Sequence, residues 1–173
     1  MRKLSESLPG SSRRRGREVA LQVLYALDLS SSKMGLEADE IEPEALSENE
    51  PEALSANGPE PDVEAAFSAV ESSFELPTGA RSFARQLVIE VRKQLASLDS
   101  PIQSHSNNWR IERMAIVDRN ILRLGAYELL NTDTPLPIVL NEAVDLARRF
   151  GSDPSPAFVN GILDALAASV RET

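Results

Sequence analysis

The chain has no cysteine and one histidine, His105. Without cysteine there is no disulfide framework and no thiolate metal site, which fits a reducing compartment. With a single histidine, no site can be built on paired imidazoles. No apolar run approaches the roughly 20 residues needed to cross a bilayer. The opening MRKLSESLPGSS carries charge but lacks the apolar segment of a secretory signal. A cytoplasmic protein without a membrane partner is the expectation. No phosphate-cradling glycine loop or nucleophile elbow is present. Asp118 and Glu128, ten residues apart on one helical stretch, lie too far apart along its axis to work as paired carboxylates. The expectation is therefore a protein that is not an enzyme, with no cofactor and no catalytic or metal-binding residues. Aromatic residues are only 5% of the chain, which argues against a large stacking platform.

Basic residues are missing from one long segment. Residues 35–77 contain 13 acidic side chains and no Lys or Arg, and the rest of the chain carries 14 acidic against 18 basic residues. The formal net charge of -9 thus hides a mildly basic body behind an acidic insert. The insert repeats Pro-Glu-Ala-Leu-Ser at 43–47 and again at 51–55, a period too short for a solenoid unit, and its prolines at 43, 51, 59 and 61 block a continuous helix. Low hydrophobicity and dense like charge predict disorder over 35–62, because burial there cannot offset the ordering entropy. Two roles stay open for it, a solvated spacer or an electrostatic mimic that competes with RNA for arginines.

Elsewhere the periodicity is helical. Ser11 or Ser12 is placed to cap a first helix, with Ala20, Val23, Leu24 and Leu27 on one buried face. Ala66, Phe67 and Val70 mark a short helix between Pro61 and Pro77. Thr78 is placed to cap the next helix, whose stripe is Phe83, Leu87, Val91, Leu95 and Leu98, and Pro101 is expected to end it. Trp109, ahead of a helical core, is expected to be an anchor, with a ligand platform as the alternative, and His105 is expected to be solvated. The stretch VDRNILRLGAYELL is too apolar all round for a surface helix and reads as the central one. Val139, Ala143, Leu146, Ala147 and Phe150 share the next face, and Gly151 stands where a left-handed C-cap would be. Ser155 and Pro156 suit the start of a last helix with Phe158, Val159, Ile162, Leu163, Leu166 and Val170 as its packed stripe. A close helix contact accounts for Gly161, and caps or backbone partners for Asn141, Glu142 and Asn160. The one strand candidate, residues 138–140, runs on into helical spacing. The fold class is all-α: a tail over residues 1–12, then one helical domain over 13–173 interrupted by the insert.

The residues that ask for a partner are Arg13, Arg14, Arg15 and Arg17, clustered at what reads as the front of the first helix. Cations there oppose the helix dipole unless an anion answers them. Guanidinium groups engage phosphate bidentately and stack on bases. Helix ends rich in charge are also commonly solvated faces, so RNA and solvent remain alternative destinations.

Read in order, RRRGREVALQVLYALDLS, VDRNILRLGAYELL, LNEAVDLARRFG and FVNGILD resemble the NusB family of bacterial transcription antitermination factors. The resemblance covers residues 13–30 and 82–170. It implies a compact bundle of about seven helices in two subbundles. It further implies binding of boxA RNA in nascent ribosomal RNA transcripts together with the ribosomal protein NusE, indirect contact with other Nus factors and RNA polymerase, and suppression of premature termination. By the same resemblance, Arg13, Arg14, Arg15, Arg17 and Phe158 lie on the RNA-binding surface. For Phe158, packing in the core is the alternative. Tyr25 and Asp118 match positions whose changes disturb the family's function, through RNA, partner or folding. Some relatives self-associate through the RNA surface, which leaves a homodimer open. The acidic insert, and Pro154 and Pro156 ahead of Phe158, depart from the usual pattern of the family. NusB-like domains also occur fused to RNA cytosine methyltransferases, but this sequence has none of the glycine-rich signals of a cofactor-binding domain. The competing expectation is a helical adaptor between proteins, without direct RNA binding.

Overall fold

Apolar residues at three- and four-residue spacing fold as helices when neighbouring helices cover them. The computed structural model describes residues 10–38, 62–72, 76–106 and 109–171, except for the side chains of 32–38 and 171. The tail up to residue 9, the insert residues 39–61, and Asn107 and Asn108 lie outside the described residues. Among the described residues there are seven α-helices and no strand: α1 (Gly10–Ala38), α2 (Val63–Glu71), α3 (Ala80–Lys93), α4 (Leu95–Ser104), α5 (Ile116–Asn131), α6 (Leu136–Phe150) and α7 (Ser155–Arg171), with a 3₁₀ turn at Ile111–Arg113 before α5. None is long and apolar enough to cross a membrane.

The central position of α5 follows from its composition. Residues 121–128 are all buried, and the helix touches α1, α3, α4, α6 and α7. It joins one subbundle, α1 with α2 and α3, to another made with α4, α6 and α7. Such crowding demands small residues. A Cβ on Gly125 would stand 2.6 Å from Leu163 Cδ1 of α7. Val19, Val23 and Leu27 of α1, Phe67 of α2, Leu87 and Val91 of α3, and Leu163 and Leu166 of α7 close over the same core, each at 2% exposure or less. Full burial of one such side chain stabilises by roughly 1.5–3 kcal/mol.

Several local expectations give way to tertiary contacts. Ser11 and Ser12 lie inside α1 rather than capping it, and Ser12 is buried. The expected insert loses both edges to helix: Gly35 to Ala38 continue α1, and Asp62 caps α2 by accepting from the backbone N–H of Glu64 and Ala65. The N-cap of α3 is Gly79 instead of Thr78, at φ 82° in the left-handed region, which glycine enters without strain. The long stripe breaks at Gln94, so Leu98 belongs to α4 and Pro101 sits within that helix. His105 is half-buried, with Nδ1 2.8 Å from the Pro101 carbonyl, and is held by the helix end rather than by solvent. Gly151 is extended, at φ -92° and ψ -168°. Its need for glycine is spatial, since a Cβ would stand 2.6 Å from Ser155 Cβ. Gly161 has nothing within 4 Å of its Cβ direction, and Asn141, Asn160 and Val170 are exposed. Residues 138–140 are helical, part of α6.

Two polar joints fasten α1 to α5. At one, Asp28 accepts from Arg119 Nη2 (2.9 Å), Asn120 Nδ2 (3.1 Å) and Arg123 Nη1 (3.5 Å), while Arg123 forks onto Asp99 of α4 at 2.7 Å through both its Nε and Nη2. At the other, the Arg17 fork meets Glu128, Nε to Oε2 at 2.8 Å and Nη2 to Oε1 at 2.6 Å, with both side chains 4% exposed. The Arg17 guanidinium also lies 5.5 Å over the Phe83 ring of α3 and 3.6 Å from Glu142 of α6. Gly16 makes room for this seat, because a Cβ there would stand 2.6 Å from Phe83 Cδ1 and 3.1 Å from the Ala80 carbonyl.

Three predictions are read by urea unfolding. Arg17→Ala strands a buried carboxylate and lowers stability by about 3–5 kcal/mol, and the double variant Arg17→Met, Glu128→Leu recovers most of the loss. Gly161→Ala stabilises by up to about 1 kcal/mol. Gly16→Ala destabilises by about 1–3 kcal/mol despite the same gain in helix propensity, because it overpacks the α1–α3 contact.

Candidate nucleic-acid interface

A helix turns about 100° per residue, so four arginines within five positions cannot share one face. α1 distributes them. Arg17 turns inward to Glu128, and Arg13, one turn earlier, is half-buried with its Nε buried and without a hydrogen-bond partner. Arg14 points outward, its side chain 55% exposed, and pairs with Glu142 at 2.8 Å and Asp145 at 3.1 Å on α6. Arg15 pairs with Glu18, whose other carboxylate oxygen takes Arg149 of α6. The expectation that all four arginines stand unpacked at a helix end is therefore corrected for Arg17. α1 already runs from Gly10, so the cluster begins a turn inside the helix, and carboxylates of this chain answer its charge.

The α1–α6 seam forms a cleft of about 270 Å³ in which Arg14, Arg148 and Arg149 face Glu18, Glu142 and Asp145, with Leu146 behind them. The hydrogen bond that Arg14 donates to Glu142, then the charge of Glu142, raise the Arg14 pKa above the usual arginine value, with smaller contributions from Asp145 and Glu18 and partial opposition from burial. Arg14 is therefore a permanent cation. Sequence reading missed Arg148 and Arg149 as members of this face. The available signal was the spacing of Glu142, Asp145 and Arg149, which puts them on one side of α6.

The arginine face continues along α1. Tyr25 follows Arg14 by eleven residues, about 20° around the helix, and is 38% exposed. Leu29 lies beside it at 36%. Asp118 is elsewhere and buried, in the first turn of α5, where its charge meets the positive helix end; its Oδ1 has no hydrogen-bond partner.

Phe158 stands in the first turn of α7, half-buried against the edge of the core. The turn before it is closed by Ser155, whose Oγ accepts from Ser152 N–H at 2.9 Å, and by the close Gly151–Ser155 approach. Its ring meets Trp109 edge to face, with ring centroids 6.4 Å apart at 78°. Trp109 is 55% exposed, not the buried anchor expected of it. Nothing in the sequence near Trp109 signals this pairing, because its partner is 49 residues away. Among the described residues no group of three or more His, Cys, Asp or Glu is placed to hold a metal ion.

The NusB family model matches residues 14–168. The transcription antitermination protein NusB of Myxococcus xanthus (strain DK1622) is 39% identical over 162 residues, covering 93% of this chain and 98% of that protein. In fold the chain is similar to T. maritima NusB, at TM-score 0.64 and 27% identity, covering 94% of this chain and 92% of that one. It is also similar to a chain in the crystal structure of antitermination factors NusB and NusE in complex with dsRNA, at TM-score 0.67 and 25% identity, covering 93% and 99% respectively. A family match over nearly the whole chain, carried by the same all-helical fold, makes this protein a member of the NusB family of transcription antitermination proteins.

Proposed function

We propose that this protein binds boxA-type RNA in nascent ribosomal RNA transcripts jointly with the ribosomal protein NusE. Acting in the cytoplasm, it then helps other Nus factors and RNA polymerase to pass premature termination sites. The observation that carries this reading is the shared fold with a chain solved alongside NusE and double-stranded RNA, in a molecule whose α1–α6 seam presents guanidinium groups.

The energetics divide the arginines by task. Exposed ion pairs are worth about 0–1 kcal/mol, so phosphate exchanges readily for Glu142 and Asp145 at Arg14. Arg13 and Arg15 flank it on the same helix and complete the contact. Arg17 stays on Glu128, since breaking a buried pair costs several times more, and acts by holding α1 in place. Phe158 offers a ring for an unpaired base, and Tyr25 extends the same face of α1 toward RNA or NusE. Asp118, buried, acts through the fold of α5. A homodimer formed over this face would compete with RNA for it. The pairing of the arginines within the chain favours a second reading, an adaptor that binds NusE without touching RNA.

Fluorescence anisotropy with a boxA-like single-stranded RNA, with and without NusE, over a potassium chloride series separates the two. Log affinity is expected to fall against log salt with a slope near -0.7 per neutralised phosphate on single-stranded RNA. Arg13→Ala, Arg14→Ala and Arg15→Ala combined are expected to flatten that slope. An unchanged slope and affinity would remove them from the interface, and NusE binding without any RNA binding would establish the adaptor.

A further inference from the structure

Large apolar side chains on a surface need a reason, and Trp109 is the most exposed of those described. Its backbone is held firmly. Its N–H donates to the Ser106 carbonyl at 2.9 Å, and its own carbonyl accepts from Ser106 Oγ at 2.9 Å and Gln103 Nε2 at 3.1 Å. Gln103 Oε1 also accepts from Ile111 N–H at 2.7 Å, so one side chain pins both the tryptophan and the backbone two residues beyond it. Ser106, which ties the loop down, is 5% exposed. A tryptophan whose backbone is held at both its N–H and its carbonyl, and whose side of the fold still leaves 55% of it in solvent, is presenting the indole rather than using it as a plug.

The second ring arrives from a different part of the chain. Phe158 reaches the pair from the first turn of α7, where its N–H donates to the Pro154 carbonyl at 3.1 Å. An edge-to-face contact uses the edge of one ring and a single face of the other, so aromatic surface stays open to a third planar group. Arg110 and Arg113 are exposed on the segment that carries Trp109, with Glu112 between them, and Asp153 is exposed in the turn before α7. An unpaired nucleotide fits these features together, since its base needs a π-face and its phosphate needs a nearby guanidinium.

We infer that Trp109 and Phe158 form a two-ring platform that stacks an unpaired RNA base, with Arg110 and Arg113 meeting the adjoining phosphates. This rests on the RNA-binding reading and adds to the α1–α6 seam a second contact, whose contribution is stacking rather than charge.

Trp109 is the only tryptophan of the chain, so its fluorescence reports the contact directly. The boxA-like RNA is titrated into the full chain, alone and with NusE, while the anisotropy of labelled RNA is followed in parallel. Quenching of Trp109 should saturate at the same RNA concentration as the anisotropy. Trp109→Ala should weaken binding roughly tenfold with an unchanged salt slope, unlike the arginine variants, and Trp109→Phe should recover most of the affinity. An unshifted melting temperature in Trp109→Ala excludes misfolding, as its exposure leads one to expect, and should the alanine variant fail to fold, Trp109→Phe and the quenching of the parent chain decide the matter. RNA binding by the parent chain without quenching, and with full affinity in Trp109→Ala, overturns the platform but leaves the arginine interface standing. Loss of NusE binding with RNA binding intact overturns it in favour of a protein contact. If the parent chain binds no RNA in either form, the RNA-binding reading fails and the platform fails with it.

Discussion

The buried pair of Arg17 and Glu128 is the contact on which the arrangement of the N-terminal helix depends. The Arg17 guanidinium touches groups from three other helices: Glu128 of α5, the Phe83 ring of α3 and Glu142 of α6. Taking a charge into a core is unfavourable unless its hydrogen bonds are met, and here the guanidinium forks onto a carboxylate that Thr134 Oγ1 also approaches at 3.5 Å. With Asp28 bound to α5 eleven residues further along α1, the helix is fixed at two points about 16 Å apart. Two attachments set its rotation as well as its position. The faces shown by Arg14, Tyr25 and Leu29 are therefore consequences of where Arg17 and Asp28 are held.

This fixed rotation separates two kinds of arginine that look alike in sequence. Arg14 and Arg17 are three residues apart, yet one side chain is 55% exposed and the other 4%. The magnitudes make the division functional. A surface pair is worth about as much as thermal fluctuation, whereas a buried pair broken on one side costs about 3–5 kcal/mol. The outer arginines can therefore change partners without disturbing the fold. The inner one cannot.

Much of the architecture was legible in the sequence because it depends on periodicity. The all-round apolar character of residues 117–130 located the central helix, and the spacing from Val159 to Leu166 located the stripe of α7. What failed were inferences that treated a residue by its local habit. Gly151 has the place of a left-handed cap but is extended, its lack of a side chain required by Ser155. Pro101 has the habit of a helix stop, although the helix breaks earlier, at Gln94. The position of Trp109 ahead of a helical core favours an anchor, whereas its pairing with Phe158 depends on how α7 meets the segment after α4. The direction of each arginine in the cluster had the same origin: the 100° step was available from the sequence, but the zero of the rotation was not.

The carboxylates along the seam bear on selectivity. Glu18, Glu142 and Asp145 stand against the outer arginines along the seam. They also repel any polyanion that approaches without its phosphates aligned to the guanidinium groups. A bare arginine patch on this body would attract nucleic acid of any sequence through counterion release. On the RNA-binding reading proposed above, interleaving with acid gives up part of that unspecific attraction, and a larger share of the binding free energy would come from contacts that depend on the bases. Discrimination at such a surface grows with the fraction of affinity that survives high salt, and the unpaired aromatic faces of the chain are the groups suited to supply it.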